Sequence, residues 1–453
     1  SLPGPAGANI ADLVLSEQMP EDARRKVLAG LGFRDPARAR VNLRCLAGSG
    51  AQRDAFARLA VLASDYLRGV PDCDMALNNW ERFVSALAGG DACERHFALL
   101  MRQPKRLEIL MGIMAGSQFV ADTLIRDTEF LDWGTDPANL HAARDTAALG
   151  RELAAFGELP RDAWLNAVRR FRRREILRIA TRDICLRSAM TSVVGDLSSL
   201  AEAMTAAALE RVWRDLAAEC REAGVEAPAR RFCILAFGKL GGGELNYSSD
   251  IDLLGVCDDA GAGPEARAAP IFDRAMELLH RALSAHTEEG HAYRVDVRLR
   301  PYGRAGHLVF SRAELLEYYR THAALWEVQA LLKLRPIAGA LDVGRRLCDD
   351  LGPVLCAPRR AADVARAIDA MREKAARGRA GGEHGIDVKS GAGGIRDIEF
   401  LVQGLQLAAA SRTSAVLSGN TLRALDLLAR EGVLPAEAAA QLAQDYAFLR
   451  RVE

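Results

Sequence analysis

Paired cysteines, long apolar runs and a surplus of either charge are all missing from this chain of 453 residues. The nine cysteines are scattered without any Cys-x-x-Cys pair, which argues against a zinc site or a disulfide framework and for a reducing cytoplasm. No apolar stretch reaches the length of a membrane span, and no signal peptide is visible at Ser1. Sixty basic residues balance sixty acidic ones, so we expect a cytoplasmic protein with neither a nucleic-acid nor a membrane partner.

Aromatic residues are also scarce, at 6%, and most of the chain has a helical pattern. Apolar residues recur at the i, i+3, i+4 spacing of amphipathic helices except over residues 231–310, where strand signals concentrate. The predicted helical features are helices over 1–115 with loops near 48–50 and 89–90, a helix over 119–131, a long helix or helix pair over 163–223, a helix over 271–289, and helices from 341 onward. The chain stops within an amphipathic pattern at Glu453, and we expect it to be an N-terminal fragment of a longer protein.

A glycine-rich turn follows the apolar run over residues 232–237, which predicts a strand. The turn contains Gly238, Lys239, Gly242 and Gly243. Glycine allows positive φ and lets main-chain N–H groups approach a phosphate closely. The pattern is therefore typical of a loop that cradles phosphate.

Two carboxylates come next, as Asp-x-Asp on a second predicted strand. Side chains alternate along a strand, so Asp250 and Asp252 share one face while Ile251 and Leu253 point into the core. Two carboxylates at this spacing can bridge divalent cations such as Mg²⁺, which prefers hard oxygen ligands.

A third carboxylate lies within residues 293–300, where apolar and charged residues alternate and predict another strand. Arg294, Asp296, Arg298 and Arg300 fall on its charged face. Asp296 can complete a metal site or act as a base, and the arginines can meet phosphate charge. With the turn and the Asp pair, these are the parts of a two-metal phosphoryl-transfer site.

Two other nucleotide-binding motifs are excluded. The order of Gly238 and Gly241 does not fit the Gly-x-Gly-x-x-Gly of a dinucleotide-binding fold, and no Gly-Lys-Ser/Thr of a P-loop follows the glycines.

These residues resemble the polymerase-beta-type nucleotidyltransferase superfamily, in which a glycine-rich turn precedes Asp-x-Asp and a distant third carboxylate. Lys239 stands where that superfamily usually has Gly or Ser. The closer resemblance is to the glutamate–ammonia ligase (glutamine synthetase) adenylyltransferase/deadenylylase family, and to the N-terminal, adenylyl-removing half of its members. It is carried by five ordered blocks: residues 165–183, 237–254, 293–303, 326–339 and 387–403.

The resemblance implies an α+β fold, with a polymerase-beta-like core and a small mixed sheet flanked by mostly helical regions. We expect a helical region over 1–115, the nucleotidyltransferase domain with its preceding helices over 116–340, and a helical domain over 341–453. The implied site has three carboxylates as catalytic metal ligands and eight further residues for phosphate or nucleotide. The carboxylates are Asp250, Asp252 and Asp296; the other residues are Gly238, Lys239, Gly242, Gly243, Ser249, Arg298, Arg300 and Lys333.

The implied activity is Mg²⁺-dependent phosphorolysis of adenylyl-tyrosine on glutamine synthetase, which releases ADP and regulates nitrogen assimilation. The implied partners are adenylylated glutamine synthetase, a PII-type signal protein, phosphate and ADP. Three alternatives stay open: transfer of AMP from ATP to glutamine synthetase, uridylylation of a PII-type protein, and a non-catalytic regulatory module. The intact carboxylate triad argues against the last.

Two further features have both structural and functional interpretations. Six arginines between residues 169 and 178 suit a helix face paired with acids such as Glu175 better than a nucleic-acid surface, and the resemblance implies that some of them pack onto the catalytic domain. A second glycine-rich loop, over residues 387–394, opens a predicted helix. It is either a capped turn or an anion site built on free N–H groups with Lys389 and Arg396.

Overall fold

The structure is a computed structural model that describes residues 9–16, 18–88, 91–142, 144–224, 230–258, 269–377 and 387–453. The chain divides into two compact units, one of residues 1–143 and 173–189, the other of residues 144–172 and 190–453. The loop predicted near residues 89–90 lies outside the described residues. Within the described ranges, no helix combines the length and the apolar character needed to cross a membrane.

The first unit is helical, as the sequence predicts. Its helices before residue 143 are α1 Ile10–Leu15, α2 Glu21–Gly30, α3 Pro36–Ala47, α4 Ala51–Leu67, α5 Cys73–Ala86, α6 Ala92–Arg102, α7 Pro104–Gly116, α8 Gln118–Arg126, α9 Phe130–Thr135 and α10 Pro137–His141. Phe56, Trp80 and Phe97 form an aromatic cluster in its core, with ring centroids 5.3 to 6.4 Å apart. Buried aromatic rings in tilted or edge contact contribute strongly to packing.

The single helix predicted over residues 119–131 is wrong, because the chain breaks between α8 and α9. Asp127 leaves the helical conformation at φ −122° and ψ 74°. Its buried carboxylate accepts a hydrogen bond from Arg173 Nη2 at 2.8 Å. This long-range ion pair replaces the local helical arrangement.

The second unit contains a mixed five-stranded sheet, which confirms the predicted α+β class. The strands are β1 Phe232–Phe237, β2 Ile251–Cys257, β3 Val295–Asp296, β4 Val309–Ser311 and β5 Arg335–Gly339. β1 pairs antiparallel with β2 and with β5. β3 and β4 both pair parallel to β2, β3 at its start and β4 at its end.

Helices precede, interrupt and follow this sheet. They are α11 Thr146–Ala154, α12 Arg161–Ile184, α13 Met190–Glu222, α14 Gly238–Gly241, α15 Ala269–Ser284, α16 Arg312–Thr321, α17 Leu325–Leu331, α18 Leu341–Leu355, α19 Ala361–Arg377, α20 Ile395–Ala409, α21 Thr421–Arg430 and α22 Ala436–Val452. The pair α12 and α13 confirms the helix pair predicted over 163–223; the chain turns between them, with Arg187 at φ 51°. The helix predicted over 271–289 is α15.

Two apolar layers cover the sheet, and the C-terminal helices have a core of their own. Phe237 and Leu254 of the sheet pack with Leu315 and Leu347 in one layer. In the other layer, Phe232 of β1 packs with Trp213 and Phe272. The rings of Phe232 and Phe272 are stacked, with their centroids 5.5 Å apart. The helices α20, α21 and α22 enclose Val402, Leu425 and Tyr446.

The strand predicted over residues 293–300 is wrong beyond Val295–Asp296. The Asp296 carboxylate accepts the Arg298 main-chain N–H at 2.8 Å, and Arg300 N–H bonds to Arg298 O at 2.9 Å. Such local turns compete with a strand ladder, and the following Pro301 cannot donate to one. Arg298 and Arg300 therefore do not extend the strand face of Asp296.

The arginine run of α12 is structural, as predicted. Within the first unit, Arg178 and Arg174 pair with the fully buried Glu175 at 3.1 Å. Within the second unit, Arg169 donates to the carbonyl oxygens of Gly290, Ala282 and Ala285, and Arg172 lies over the Tyr293 ring at 4.6 Å. These last contacts confirm that part of the run packs against the domain that holds the sheet.

Candidate active site

The three predicted carboxylates lie at one end of the sheet. Asp252 is on β2, where it pairs in register with Asp296 of β3, and Asp250 directly precedes β2. Asp252 also faces Phe237, the last residue of β1, so the carboxylates and the glycine-rich segment meet at the same sheet end. The apolar Ile251 and Leu253 are buried, which fixes the register and turns Asp252 away from the core.

Asp252 lies in an unfavourable environment for a negative charge. Burial, together with the charges of Asp296 and Asp250, raises the pKa of Asp252 to about 6. Mutual repulsion of carboxylates in a partly desolvated site has this sign. The site thus favours a positive partner for Asp252.

Arginines hold the other two carboxylates. Arg294 Nε lies 2.5 Å from Asp250 Oδ1, and Arg298 Nη2 lies 2.5 Å from Asp296 Oδ2. In the described parts of the chain, no three His, Cys or acidic side chains are arranged to hold a metal ion. The donor chemistry nevertheless suits a divalent cation, because the three carboxylates lie close enough for the charges of Asp250 and Asp296 to raise the pKa of Asp252. Both arginines are about two-thirds exposed, so their ion pairs with Asp250 and Asp296 are weak.

The glycine-rich segment forms the single helical turn α14 and approaches its neighbours very closely. A Cβ on Gly238, which has φ +58°, would lie 2.5 Å from Asp252 Oδ2. A Cβ on Gly241 would lie 1.8 Å from the main-chain oxygen of Lys333. Glycine is thus required at both positions, once to bring the main chain to the acidic pair and once to pack against Lys333, two residues before β5.

A buried ionic network anchors the end of the glycine-rich segment. Lys333 Nζ contacts Glu244 Oε2 at 2.9 Å and Glu399 Oε1 at 3.1 Å. Glu244 also accepts the Thr421 main-chain N–H at 2.7 Å, and its own carbonyl oxygen accepts Arg450 Nη2 at 2.6 Å. The glycine-rich segment is therefore tied to α20, α21 and α22.

A cavity of about 400 Å³ opens beside these groups. Residues from both glycine-rich segments line it: Gly238, Lys239, Ser248, Ser249, Asp250, Asp252, Arg294, Lys333, Lys389, Ile395, Arg396, Glu399 and Gln403. Lys239 Nζ also lies 2.5 Å from Glu453 Oε1, and its burial lowers the pKa of Lys239. Carboxylates and cations so arranged suit a substrate that carries phosphate.

The structure brings many of the predicted site residues to this cavity and leaves others outside its lining. Those that line it are Gly238, Lys239, Ser249, Asp250, Asp252 and Lys333. Asp296 lies beside Asp252 on the neighbouring strand β3, and Gly242 packs against the Gly419 main chain. Arg300 donates to the carbonyl oxygens of Val297 and Gly306. The functional roles of all these residues stay predictions.

Sequence reasoning assigned no site role to Ser248 or Gln403. Arg294 was among the arginines expected to meet phosphate charge, and in the structure it is paired with Asp250. Glu399 also lines the cavity, and its contact with Lys333 depends on how residues far apart in the chain pack.

The mixed sheet, the Asp-x-Asp motif at the start of β2 and the cavity lined by carboxylates and cations are features of a nucleotidyltransferase. Comparison with known families is more specific. The family model for glutamate-ammonia ligase adenylyltransferase matches residues 107–349, more than half of the chain, and the chain belongs to this family. A second family model, for GlnD PII-uridylyltransferase, matches residues 363–453.

Curated relatives agree with this assignment. The chain is similar to proteins named bifunctional glutamine synthetase adenylyltransferase/adenylyl-removing enzyme. The relative from Streptomyces coelicolor is 34% identical over 430 residues, which cover 93% of this chain and 41% of that protein. The one from Chromobacterium violaceum is 31% identical over 97% of this chain and 48% of that protein. The one from Pseudomonas aeruginosa is 35% identical over 82% and 38%. The chain thus spans less than half the length of each of these relatives.

Proposed function

We propose that this chain removes AMP from an adenylylated tyrosine of glutamine synthetase by phosphorolysis and releases ADP. One observation carries the proposal: the acidic pair Asp250 and Asp252 shares a cavity with the cations Lys239, Lys389 and Arg396. A reaction between two phosphate groups needs both kinds of charge at one place. The names of the relatives supply the protein substrate.

The reaction is a displacement at the phosphorus of AMP. An oxygen of inorganic phosphate forms a bond to that phosphorus while the bond to the tyrosine oxygen breaks. The proton that the phosphate gives up balances the one that the tyrosine oxygen finally gains. The cavity's cations lower the repulsion between the anionic phosphate and the anionic phosphodiester.

Asp250, Asp252 and Asp296 are the residues that would hold Mg²⁺ in this proposal. When bound, the metal would neutralise charge on the phosphoryl oxygens and on the departing tyrosine oxygen. Gly238 keeps the main chain close to Asp252, and the network around Lys333 keeps Gly238 in position. We place the reaction in the cytoplasm, with its protein substrate.

Removal is preferred over addition of AMP because the sequence resembles the N-terminal, adenylyl-removing half of the family. The test is to incubate the chain with adenylylated glutamine synthetase, Mg²⁺ and phosphate, and in parallel with unmodified glutamine synthetase, Mg²⁺ and ATP. The proposal expects phosphate-dependent ADP in the first reaction and little AMP incorporation in the second. Efficient incorporation with no ADP release would reverse the direction.

The match of residues 363–453 to PII-uridylyltransferase favours a second candidate, transfer of UMP to a PII-type protein. It also supports a PII-type protein as a regulatory partner. Labelled UTP and a PII-type protein distinguish the two ideas: label on the protein would support uridylylation, whereas altered ADP release without label would support regulation.

A further inference from the structure

The second glycine-rich loop, over residues 387–394, lies close to where the phosphate nucleophile would bind. Lys389 of this loop and Arg396 of α20 line the same cavity as Gly238 and Lys239. The loop was expected to be either a capped turn or an anion site that combines free N–H groups with these two side chains.

Most of the loop's main-chain N–H groups are not available for that role. Acceptors within the loop and the first turn of α20 take those of Lys389, Ser390, Gly391, Gly393, Gly394, Ile395 and Arg396. This hydrogen bonding favours the capped turn among the two interpretations of the loop. Recognition of an anion here therefore rests mainly on side chains.

Most cations of the cavity already have carboxylate partners. Arg294 is paired with Asp250, Lys333 with two glutamates, and Lys239 with Glu453. Lys389 lies 3.8 Å from the same Glu453. Each of these charges is at least partly neutralised before any substrate arrives.

Arg396 differs from them. The neighbouring acids in sequence are engaged elsewhere: Asp397 accepts two hydrogen bonds of 2.7 Å from Arg372, and Glu399 pairs with Lys333. Across the described residues, the Arg396 guanidinium makes no hydrogen bond or ion pair. It thus brings uncompensated positive charge to the cavity, in a planar form that matches phosphate oxygens.

We propose that Arg396, assisted by Lys389, binds the phosphate group that attacks the AMP phosphorus and becomes the β-phosphate of ADP. The choice of this phosphate rests on the phosphorolysis proposed above. The site replaces the one expected at Arg298 and Arg300, because Arg298 is paired with Asp296 and Arg300 is turned to main-chain carbonyl oxygens.

The test compares ADP with AMP, since only ADP carries the β-phosphate. Binding of each nucleotide is measured calorimetrically with Mg²⁺ for the wild type, Arg396→Gln, Arg396→Lys and Arg423→Gln. Arg423 is an exposed arginine on α21 of the same unit and serves as the matched control. Arg396→Gln should raise the Kd for ADP about 10- to 100-fold and change the Kd for AMP less than about threefold. Arg396→Lys should recover part of the loss, and Arg423→Gln should change neither Kd.

Equal weakening of ADP and AMP, or no change in either, would overturn the proposal. So would an ADP-specific loss in Arg298→Gln that Arg396→Gln does not reproduce. If Arg396→Gln lowers the melting temperature, the same binding measurements are made with Lys389→Gln and Arg396→Lys instead. An unchanged ADP affinity in both of these variants would contradict the proposal.

The experiment also separates this inference from the proposed function. Loss of ADP selectivity in Arg396→Gln, with no phosphorolysis by the wild type, would keep the phosphate site and reject the reaction. Phosphorolysis with an unchanged Michaelis constant for phosphate in Arg396→Gln would keep the reaction and reject the site.

Discussion

Lys333 Nζ lies 2.9 Å from Glu244 Oε2, and both side chains are more than nine-tenths buried. This contact joins Lys333, two residues before β5, to Glu244 at the end of the glycine-rich segment. Glu399 of α20 contacts the same Lys333 ammonium group at 3.1 Å. The buried network therefore fixes α20 to the glycine-rich segment. Lys333 was expected to bind phosphate, but its contacts first give it a structural role.

Replacing Lys333 by methionine should destabilise the chain severely. The change leaves Glu244 and Glu399 without their cation in a buried site, a loss of about 3–5 kcal/mol. Chemical denaturation followed by circular dichroism measures it. Arg430→Met is the control, since Arg430 and Asp426 form an exposed pair, and it should cost less than about 1 kcal/mol. A stable Lys333→Met protein with a raised Michaelis constant for phosphate would make Lys333 a substrate ligand instead.

Gly241→Ala should disrupt the glycine-rich turn. The new Cβ would meet Lys333 O at 1.8 Å and Ala236 O at 2.6 Å, so main chain must move, at a cost of about 1–3 kcal/mol and with loss of activity. Gly195→Ala in α13 is the control, because open space surrounds that position and alanine favours a helix there. Equal activity and stability of both variants would show that the close approach is unimportant.

Asp252→Asn should lower turnover at least about 100-fold without loss of stability. The raised pKa of about 6 means that this carboxyl stabilises the fold when protonated, at low pH, and that its charge is unfavourable at pH 7 without a cation. Asparagine keeps the shape and removes that charge, so the melting temperature should stay the same or rise. Turnover close to that of the wild type at saturating Mg²⁺ would rule out a role in metal binding.

His96 should make the first unit sensitive to acid. Its burial, with a smaller effect of Arg106, lowers the pKa of His96 to about 4, and its Nε2 lies 3.4 Å from the Trp80 indole nitrogen. The unfolded chain binds the proton near pH 6.5, so stability present above that pH is lost as pH falls toward 4, by about 3 kcal/mol. Melting temperatures across this range should fall less steeply for His96→Gln than for the wild type.

The control for this pH dependence is His141→Gln, which changes an exposed histidine of the same unit. Its melting temperatures should follow the wild-type pH profile. An unchanged profile in His96→Gln would mean that other groups cause the acid sensitivity.

The sequence predicted those parts of the fold and site that depend on short segments. The run of residues 232–237 forms β1 with the predicted bounds, because a buried apolar strand ends where Gly238 takes positive φ. Of the Asp-x-Asp pair, Asp252 lies on β2 between the buried Ile251 and Leu253, as the alternation predicts, whereas Asp250 directly precedes the strand. The helix predicted through Asp127 failed because its ion pair with Arg173 spans 46 residues, beyond the reach of a local pattern.

Charge patterns were less informative about binding. Arg298, Arg300 and Lys333 looked alike as possible phosphate ligands in the sequence. In the structure, Arg298 pairs with Asp296, Arg300 donates to a main-chain carbonyl oxygen, and Lys333 belongs to a buried ionic network. These different roles depend on which neighbours the fold supplies. The sequence shows a second glycine-rich loop, but only the fold shows that it contributes to the same cavity as the first.

The most direct test of the central claim follows the oxygen atoms of the nucleophile. Adenylylated glutamine synthetase is incubated with the chain, Mg²⁺ and phosphate labelled with heavy oxygen, and the released nucleotide is analysed by mass spectrometry. The account predicts ADP that carries the label in its β-phosphate, and no nucleotide when phosphate is left out. Release of AMP that takes its new oxygen from water would contradict it, because water and not phosphate would then be the attacking group.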